Sequence, residues 1–565
     1  MMLLLAQLVA PPVQVGPVRL PGPEAGEQRP AGAAPGQPAT PSLQQEPGLA
    51  APGSSPSPLP ASPPASTPEQ APLPRLEGNV PFSGRDLERI LAPCRTIADP
   101  TARLDACAAA LTAALTTRGY VNSRVYVQPS PAAGSLLIVE GRLVEVRVAG
   151  VDARLNARVQ RLLRPLQGQV LYLPRVDRQL QLLRRQSGIG ALRGNLTRLG
   201  SDVSQAVLTV TVAPGHQPWL GEVSLRNDGS NTAGEFRATA TLVKPSLAVP
   251  GDTLLLYSEV DASDDPQFGA LITSLSYSIP LSEQISFTGA FGFSRRNLVE
   301  LPSPADGFSN TQYQGLGQFE WLLQESLTSR WSVFAGYSQN RGNTYFRDRA
   351  LPDVVPDVVR SPSTGYGRIG VAGSGILDRL AWGGNAYLLQ GLSVPASQRQ
   401  DLERAGVNPS QSTAIGGLLS AAWGFAPGWQ LNLRGAGQLA FQPLLTSMQF
   451  SVGSDAGLRG LPGQLISGDN GLLGTAETVW TFWQKRNQAL QLVPFIGAGQ
   501  VSTTINDVQI RDTIGTAGVL ARWLAGANWS AELGWVDSFG SANRRGPWKD
   551  WLLGNGLYVK LGYRF

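Results

Sequence analysis

The sequence predicts a transmembrane β-barrel of about 16 antiparallel strands, preceded by two small α+β modules and a disordered Pro-rich N-terminal segment. Three observations carry this. From Trp219 onward helical spacing is lost, and apolar residues alternate with small or polar ones, as side chains do when a strand turns them to opposite faces. The connections between these segments alternate between short and long, as in barrels with short turns on one side of a membrane and longer loops on the other. Tryptophans also gather at the short-turn ends: Trp219, Trp331, Trp429 and Trp529 open strands there, and Trp321, Trp423, Trp483 and Trp523 close them, as an interfacial aromatic girdle requires.

Composition agrees. Charged residues are only 15% of the chain, Gly reaches 64, and no apolar run approaches the roughly 20 residues of a membrane helix. Residues 1–10 (MMLLLAQLVA) form an apolar signal remnant without a basic flank. Residues 11–76, rich in Pro, Ala, Gly, Ser and Gln, lack the large apolar side chains that offset ordering entropy, and read as a disordered linker or spacer.

The first module spans 77–142: a short strand at Val80 and Phe82, a helix capped by Ser83-x-x-Asp86, a second helix through Leu104, Cys107, Leu111 and Leu115 ended by Arg118-Gly119-Tyr120, then strands at Val125–Val127 and Leu136–Val139. The second, 143–214, repeats that order, with strand Val144–Val148, helices carrying Leu155, Val159, Leu163 and then Val176, Leu180, Leu183, and strands near 192–198 and 207–212. Arginines crowd this copy (Arg154, Arg158, Arg161, Arg164, Arg175, Arg178, Arg184, Arg185, Arg193). They form either a solvated helix face or a surface for anionic lipid or a partner.

The barrel occupies 215–565. Its segments lie near 221–227, 235–244, 252–259, 269–279, 284–294, 312–323, 329–340, 364–374, 379–390, 412–425, 429–441, 471–482, 489–501, 513–523, 528–537 and 557–565. The last is the cleanest: Leu557, Val559, Leu561, Tyr563 and Phe565 share one face and the chain closes on an aromatic. Loops near 261–268, 295–311, 341–363, 391–411, 442–470, 502–512 and 538–556 are the long ones.

Other classes find little support. The net charge of +5 is mostly Arg, with Lys only at Lys244, Lys485, Lys549 and Lys560, and forms no nucleic-acid stripe. His216, the single histidine, sits in the Pro-Gly-His-Gln-Pro hinge with no nucleophile, metal set or phosphate loop beside it, so neither enzyme nor cofactor is expected. Cys94 and Cys107 fall in one small module. An oxidising compartment permits a disulfide between them, and two buried thiols on helix faces is the other reading.

Two small modules before a sixteen-strand barrel resemble the two-partner secretion transporters of the bacterial outer membrane, the haemolysin activator and filamentous haemagglutinin transporter type. The residues that carry the resemblance are Arg118-Gly119-Tyr120, Ser123-Arg124 and Val139-Glu140-Gly141-Arg142 in a module similar to a POTRA domain, and Leu225-Arg-Asn-Asp-Gly229, Gly234 and Pro250-Gly251-Asp252 at the barrel entrance. The resemblance implies periplasmic POTRA modules that bind a secreted client, outer-membrane lipids around the barrel, and barrel-assembly machinery and periplasmic chaperones during biogenesis, with Tyr563 and Phe565 as the C-terminal insertion signal. A barrel-assembly-type insertase is the alternative, with a passive porin behind it, since a porin leaves the repeated modules without a purpose. Residues 1–75 show no amphipathic helix of the kind the family places before its POTRA domains, so that plug is expected to be absent, truncated or unrecognisable in this sequence.

In the loop between the eleventh and twelfth strands, Gly457-Leu458-Arg459-Gly460-Leu461 resembles the family's Val-Arg-Gly-aromatic tip, which folds into the lumen. Phe495-x-Gly497-x-Gly499 on the thirteenth strand is similar to Phe-x-Asp-x-Gly, but Gly497 stands where the arginine-binding Asp belongs. Glu477, which shares parity with Thr475 and Thr481, is the first expected partner of Arg459, and Asp537 the second. A Gly497→Asp change is expected to offer a further acceptor and partly rescue Glu477→Ala.

Overall fold

The structure is a computed structural model that describes residues 71–128, 134–184, 188–199, 202–215, 218–263, 267–505, 508–541 and 546–565. The signal remnant, nearly all of the Pro-rich segment, His216 and Arg185 lie outside these residues. The chain divides near residue 216 into a module unit and a barrel unit.

In the module unit, strand β1 is Arg75–Glu77, helix α1 Gly84–Leu91, helix α2 Pro100–Thr117, and strands β2 and β3 are Arg124–Gln128 and Ser135–Val139. The sheet order is β1-β3-β2, with β1 parallel to β3. The first strand therefore lies upstream of the expected Val80 and Phe82. Those two side chains instead pack on the core formed by Leu91, Leu111, Leu115, Leu136 and Ile138, each buried side chain contributing about 1.5–3 kcal/mol. Pro81 and the Ser83 cap, whose hydroxyl accepts the Asp86 amide at 3.3 Å, turn the chain into α1 where the strand was expected.

The second module repeats the plan: β4 (Arg142–Ala149), α3 (Ala153–Leu163), α4 (Leu173–Arg184), β5 (Ile189–Leu199) and β6 (Asp202–Pro214), in the order β4-β6-β5 with β4 parallel to β6. Leu155, Val159, Leu163, Val176 and Leu183 turn the helices onto the sheet. Arg154, Arg161 and Arg164 stand on the exposed face.

Sixteen antiparallel strands form the closed barrel: β7 (Leu220–Arg226), β8 (Phe236–Pro245), β9 (Thr253–Ala262), β10 (Phe268–Pro280), β11 (Ile285–Asn297), β12 (Phe308–Glu325), β13 (Ser329–Phe346), β14 (Ser363–Leu377), β15 (Leu380–Ser393), β16 (Thr413–Ala426), β17 (Trp429–Ala440), β18 (Asn470–Lys485), β19 (Gln488–Ile505), β20 (Val508–Ala525), β21 (Trp529–Phe539) and β22 (Leu557–Arg564). Several strands outrun the expected segments on the long-loop side. The stretch near 502–512, expected as a loop, is largely strand, because β19 and β20 stay paired to Ile505 and Val508. The alternation of loop lengths is thus partly an alternation of strand overhang.

Barrel closure comes from β22 pairing with β7, reinforced by reciprocal backbone bonds between Gly221 and Phe565. All eight girdle tryptophans are exposed on the barrel, and Trp529 packs on its register neighbour Tyr563 with ring centroids 4.7 Å apart. Two glycines of the entrance motif are needed sterically. A Cβ on Gly229 would lie 2.1 Å from the Gly234 carbonyl oxygen. Gly234 has φ +139° and would bring its Cβ within 2.2 Å of the Ala262 backbone. Gly234→Ala is expected to cost about 1–3 kcal/mol in strain and to lower the fraction of heat-modifiable, folded barrel on semi-native gels.

Candidate functional site

The chain from Phe441 to Asp469, which joins β17 to β18, folds inward. Phe450–Val452 and Ile466–Gly468 pair as a short antiparallel ribbon, and Gly457 (φ +106°) and Gly460 (φ +78°) turn the tip between them. Leu458 and Leu461 are fully buried. They join a cluster with Phe450, Val452, Leu473, Val501 and Ile514, closed by Trp548 and Trp551 from the β21–β22 connection. Leu461 is smaller than the aromatic that the resemblance implies at this position, and the two tryptophans share its cluster.

Arg459 reaches two walls. Its Nε and Nη2 donate to the two Glu477 oxygens at 2.8 and 3.2 Å, a bidentate pair on β18, and its Nη1 donates to Glu532 on β21 at 2.8 Å. Glu532 also accepts from Arg522 Nε at 2.8 Å, and Arg522 contacts Gln491. The Thr516 hydroxyl donates to the Arg459 carbonyl at 2.9 Å. The tip is therefore held by side chain and backbone against β18, β20 and β21.

Asp537 is not among these partners. On β21 it shares outward parity with Leu533 and Trp535, and it accepts the Ser538 amide. Glu532, on the inward parity with Val536, takes the place expected for it. The signal was present in the alternation of β21: an acidic residue opposite Leu533 and Trp535 can only face the lumen.

Phe495, Gly497 and Gly499 all face inward on β19. A Cβ on Gly497 would lie 2.6 Å from Leu458 Cδ2, and one on Gly499 2.6 Å from Val452 Cγ1. The loop lies directly on this glycine row. The space for an aspartate at 497 is filled by Leu458, so Gly497→Asp would displace the tip, contrary to the expected rescue.

The same loop has a second polar anchor that the sequence reading missed. Asp455, in the turn Ser454–Ala456, accepts from Arg237 Nη1 of β8 at 2.7 Å, and Arg237 also faces Glu259 and Asp261 of β9 at 3.5 and 3.4 Å.

The module motif residues also meet in space. The Ser123 hydroxyl accepts the Gly141 amide at 3.0 Å. Arg118 donates to Pro81 O and Asp86 and covers the Phe82 ring, while the Ser83 hydroxyl, and after it the Arg118 pairing, hold the Asp86 carboxyl below its usual range. The Gly119 carbonyl accepts the Leu173 amide, and Tyr120 stacks on Tyr172, so this motif forms the joint between the modules. Cys94 and Cys107 are joined by a disulfide, with Cα atoms 5.3 Å apart. Pro250-Gly251-Asp252 forms the first short turn, where the Asp252 carboxylate accepts the amides of Leu247, Ala248 and Val249.

A sixteen-strand barrel filled by an arginine-anchored loop and carrying tandem α+β modules defines an outer-membrane protein transporter. The family model described as haemolysin secretion/activation protein ShlB/FhaC/HecB matches residues 204–521, and that for the ShlB-type POTRA domain matches 75–140. The chain belongs to this haemolysin secretion/activation family of two-partner secretion transporters, with its POTRA domains in the periplasm. The outer membrane transporter CdiB of Escherichia coli O6:K15:H31 is 23% identical over 512 residues, 86% of this chain and 80% of that protein. In fold, CdiB from Escherichia coli matches with a TM-score of 0.62 at 16% identity, over 87% of this chain and 89% of that one. BamA from Haemophilus ducreyi lacking POTRA domains 1–3 matches with a TM-score of 0.51 at 13% identity, over 88% and 100%. The barrel-assembly reading thus has the more distant structural neighbour.

Proposed function

We propose that the chain exports one large, β-helical client of the haemolysin or adhesin kind, captured in extended form by the modules at 77–142 and 143–214 and passed outward through the barrel at 215–565. The observation that carries this is the pair of three-stranded sheets that end on β2 and β5. Such an edge presents backbone donors and acceptors to an incoming strand, giving affinity through main-chain bonds. The 441–469 loop fills the lumen at rest, so passage requires its tip to leave the Glu477–Glu532 wall. Folding of the client at the surface supplies the drive, without nucleotide. Tyr563 and Phe565 serve as the insertion signal read by the assembly machinery.

The test removes residues 75–141, which takes away β1 with the rest of the first sheet. Export of the client is expected to be abolished while the barrel still inserts and remains heat-modifiable, since its strands close on one another. Undiminished secretion by that variant would show that the first module is not the receptor.

A further inference from the structure

The β22–β7 seam is among the shortest ladders of the barrel. Its register runs only from Glu222 to Arg226 against Arg564 to Lys560, extended by the Gly221–Phe565 bonds, whereas β12 and β13 pair from Phe308 to Glu325. Past Arg226 the ladder continues at Asn227 with one backbone bond, its amide donating to Val559 O at 3.3 Å, and then through its side chain: Nδ2 donates to Leu557 O at 2.7 Å and Oδ1 accepts the Val559 amide at 2.9 Å. A seam with few backbone bonds needs other groups to hold it.

The 441–469 loop reaches both sides of this seam. Arg459 grips β18 and β21 on one side, and Asp455, four positions earlier, grips β8 on the other. Gly463 adds a backbone bond to the Gly229 carbonyl at 3.1 Å, also on the β7–β8 side. The positive-φ glycines at 457 and 460 keep the span between the two charged arms compact. We infer that this loop is a strap holding the β22–β7 seam closed, with Asp455 and Arg237 as its second anchor. Arg237 is almost fully buried and already faces the Glu259 and Asp261 carboxylates. Asp455 therefore adds attachment of the loop rather than the sole counter-charge of the guanidinium. This role is independent of what the pore carries.

The test uses the full chain in detergent and follows loss of the fast-migrating folded form at a fixed temperature, a readout that needs no client. Asp455→Ala is the variant of choice, because it leaves Arg237 paired on β9. Asp455→Ala and Arg459→Ala are each expected to speed this loss about tenfold. The double variant should be little faster than the quicker single, because either cut releases the same strap, whereas independent contacts would add. Asp455→Glu should retain the native rate. A cross-seam pair, Ser224→Cys with Gly562→Cys, places cysteines at facing, small, inward positions. In its oxidised form it should restore the native rate to Asp455→Ala. Additive singles, an unchanged rate in Asp455→Ala, or failure of the formed seam disulfide to rescue would overturn the strap. Increased channel conductance with no change in unfolding rate would also overturn it, leaving the loop as a plug alone.

Discussion

Arg459→Ala is expected to remove most client export and to alter channel conductance in planar bilayers. The guanidinium satisfies both Glu477 oxygens and one of Glu532. Its loss affects the two carboxylates unequally. Glu532 keeps Arg522 at 2.8 Å, so Glu477 is the group left without its ion pair. Removing one partner of a fully buried pair costs on the order of 3–5 kcal/mol. Here the Arg459 and Glu477 side chains retain 19% and 14% exposure, and about 1–3 kcal/mol is the appropriate scale. Glu477→Ala should give a similar defect, and the double variant should be little worse than either single, since both changes remove one interaction. Glu532→Ala should be more severe because it strips a carboxylate from Arg459 and Arg522 together. Arg459→Lys should rescue poorly, since an ammonium cannot form the bidentate pair. Gly497→Asp should worsen rather than relieve Glu477→Ala, because Leu458 occupies the space a side chain would need. Strictly additive defects of Arg459→Ala and Glu477→Ala would mean that their pairing does not govern export.

These expectations separate what alternation records from what it cannot. Strand identity and facing were legible because a membrane barrel imposes period two on every segment: Leu557, Val559 and Leu561 turn out while Tyr558 is buried, and Glu477 turns in beside Thr475. Facing alone does not give contact. The anchors on Asp455 and Glu532 depend on how a long loop folds back onto strands more than 200 residues away in one case, Arg237, and 73 in the other. No local pattern encodes that path. The Asp537 expectation failed even on facing, since its parity with Leu533 and Trp535 already placed it outside. In the modules the repeated strand-helix-helix-strand-strand order was legible from helical spacing. The first strand was misplaced because Val80 and Phe82 resemble a strand pair, although Pro81 and the Ser83 cap turn the chain there and the parallel partner of β3 is Arg75–Glu77. A three-residue strand leaves almost no periodicity to read.

Replacing Cys94 and Cys107 together by alanine is expected to unfold the first module selectively. The bond links the turn after α1 to the middle of α2, across a sequence separation of 13, and both sulfurs lie in the core with Leu91, Leu111 and Leu136. Closing a loop of about 15 residues lowers the entropy of the unfolded chain by an amount worth about 3 kcal/mol. A domain of this size buries a smaller fraction of its surface than a larger one and is marginal on its own, so that loss is a large part of its stability. Alanine is preferable to serine because a hydroxyl would enter an apolar core without a partner and confound the comparison. Three measurements distinguish the outcomes. Limited proteolysis should cut between residues 75 and 141 in the double variant but not in the native protein. Client export should fall with it. The barrel should keep its heat-modifiable mobility, since its described strands close on one another. If the variant resists protease and exports normally, the two cysteines serve only as small apolar residues, the other reading that their sequence allowed. If export falls while the module stays protease-resistant, Cys94 or Cys107 contributes to the client surface rather than to stability, and their burial to 3% and 1% argues against that outcome.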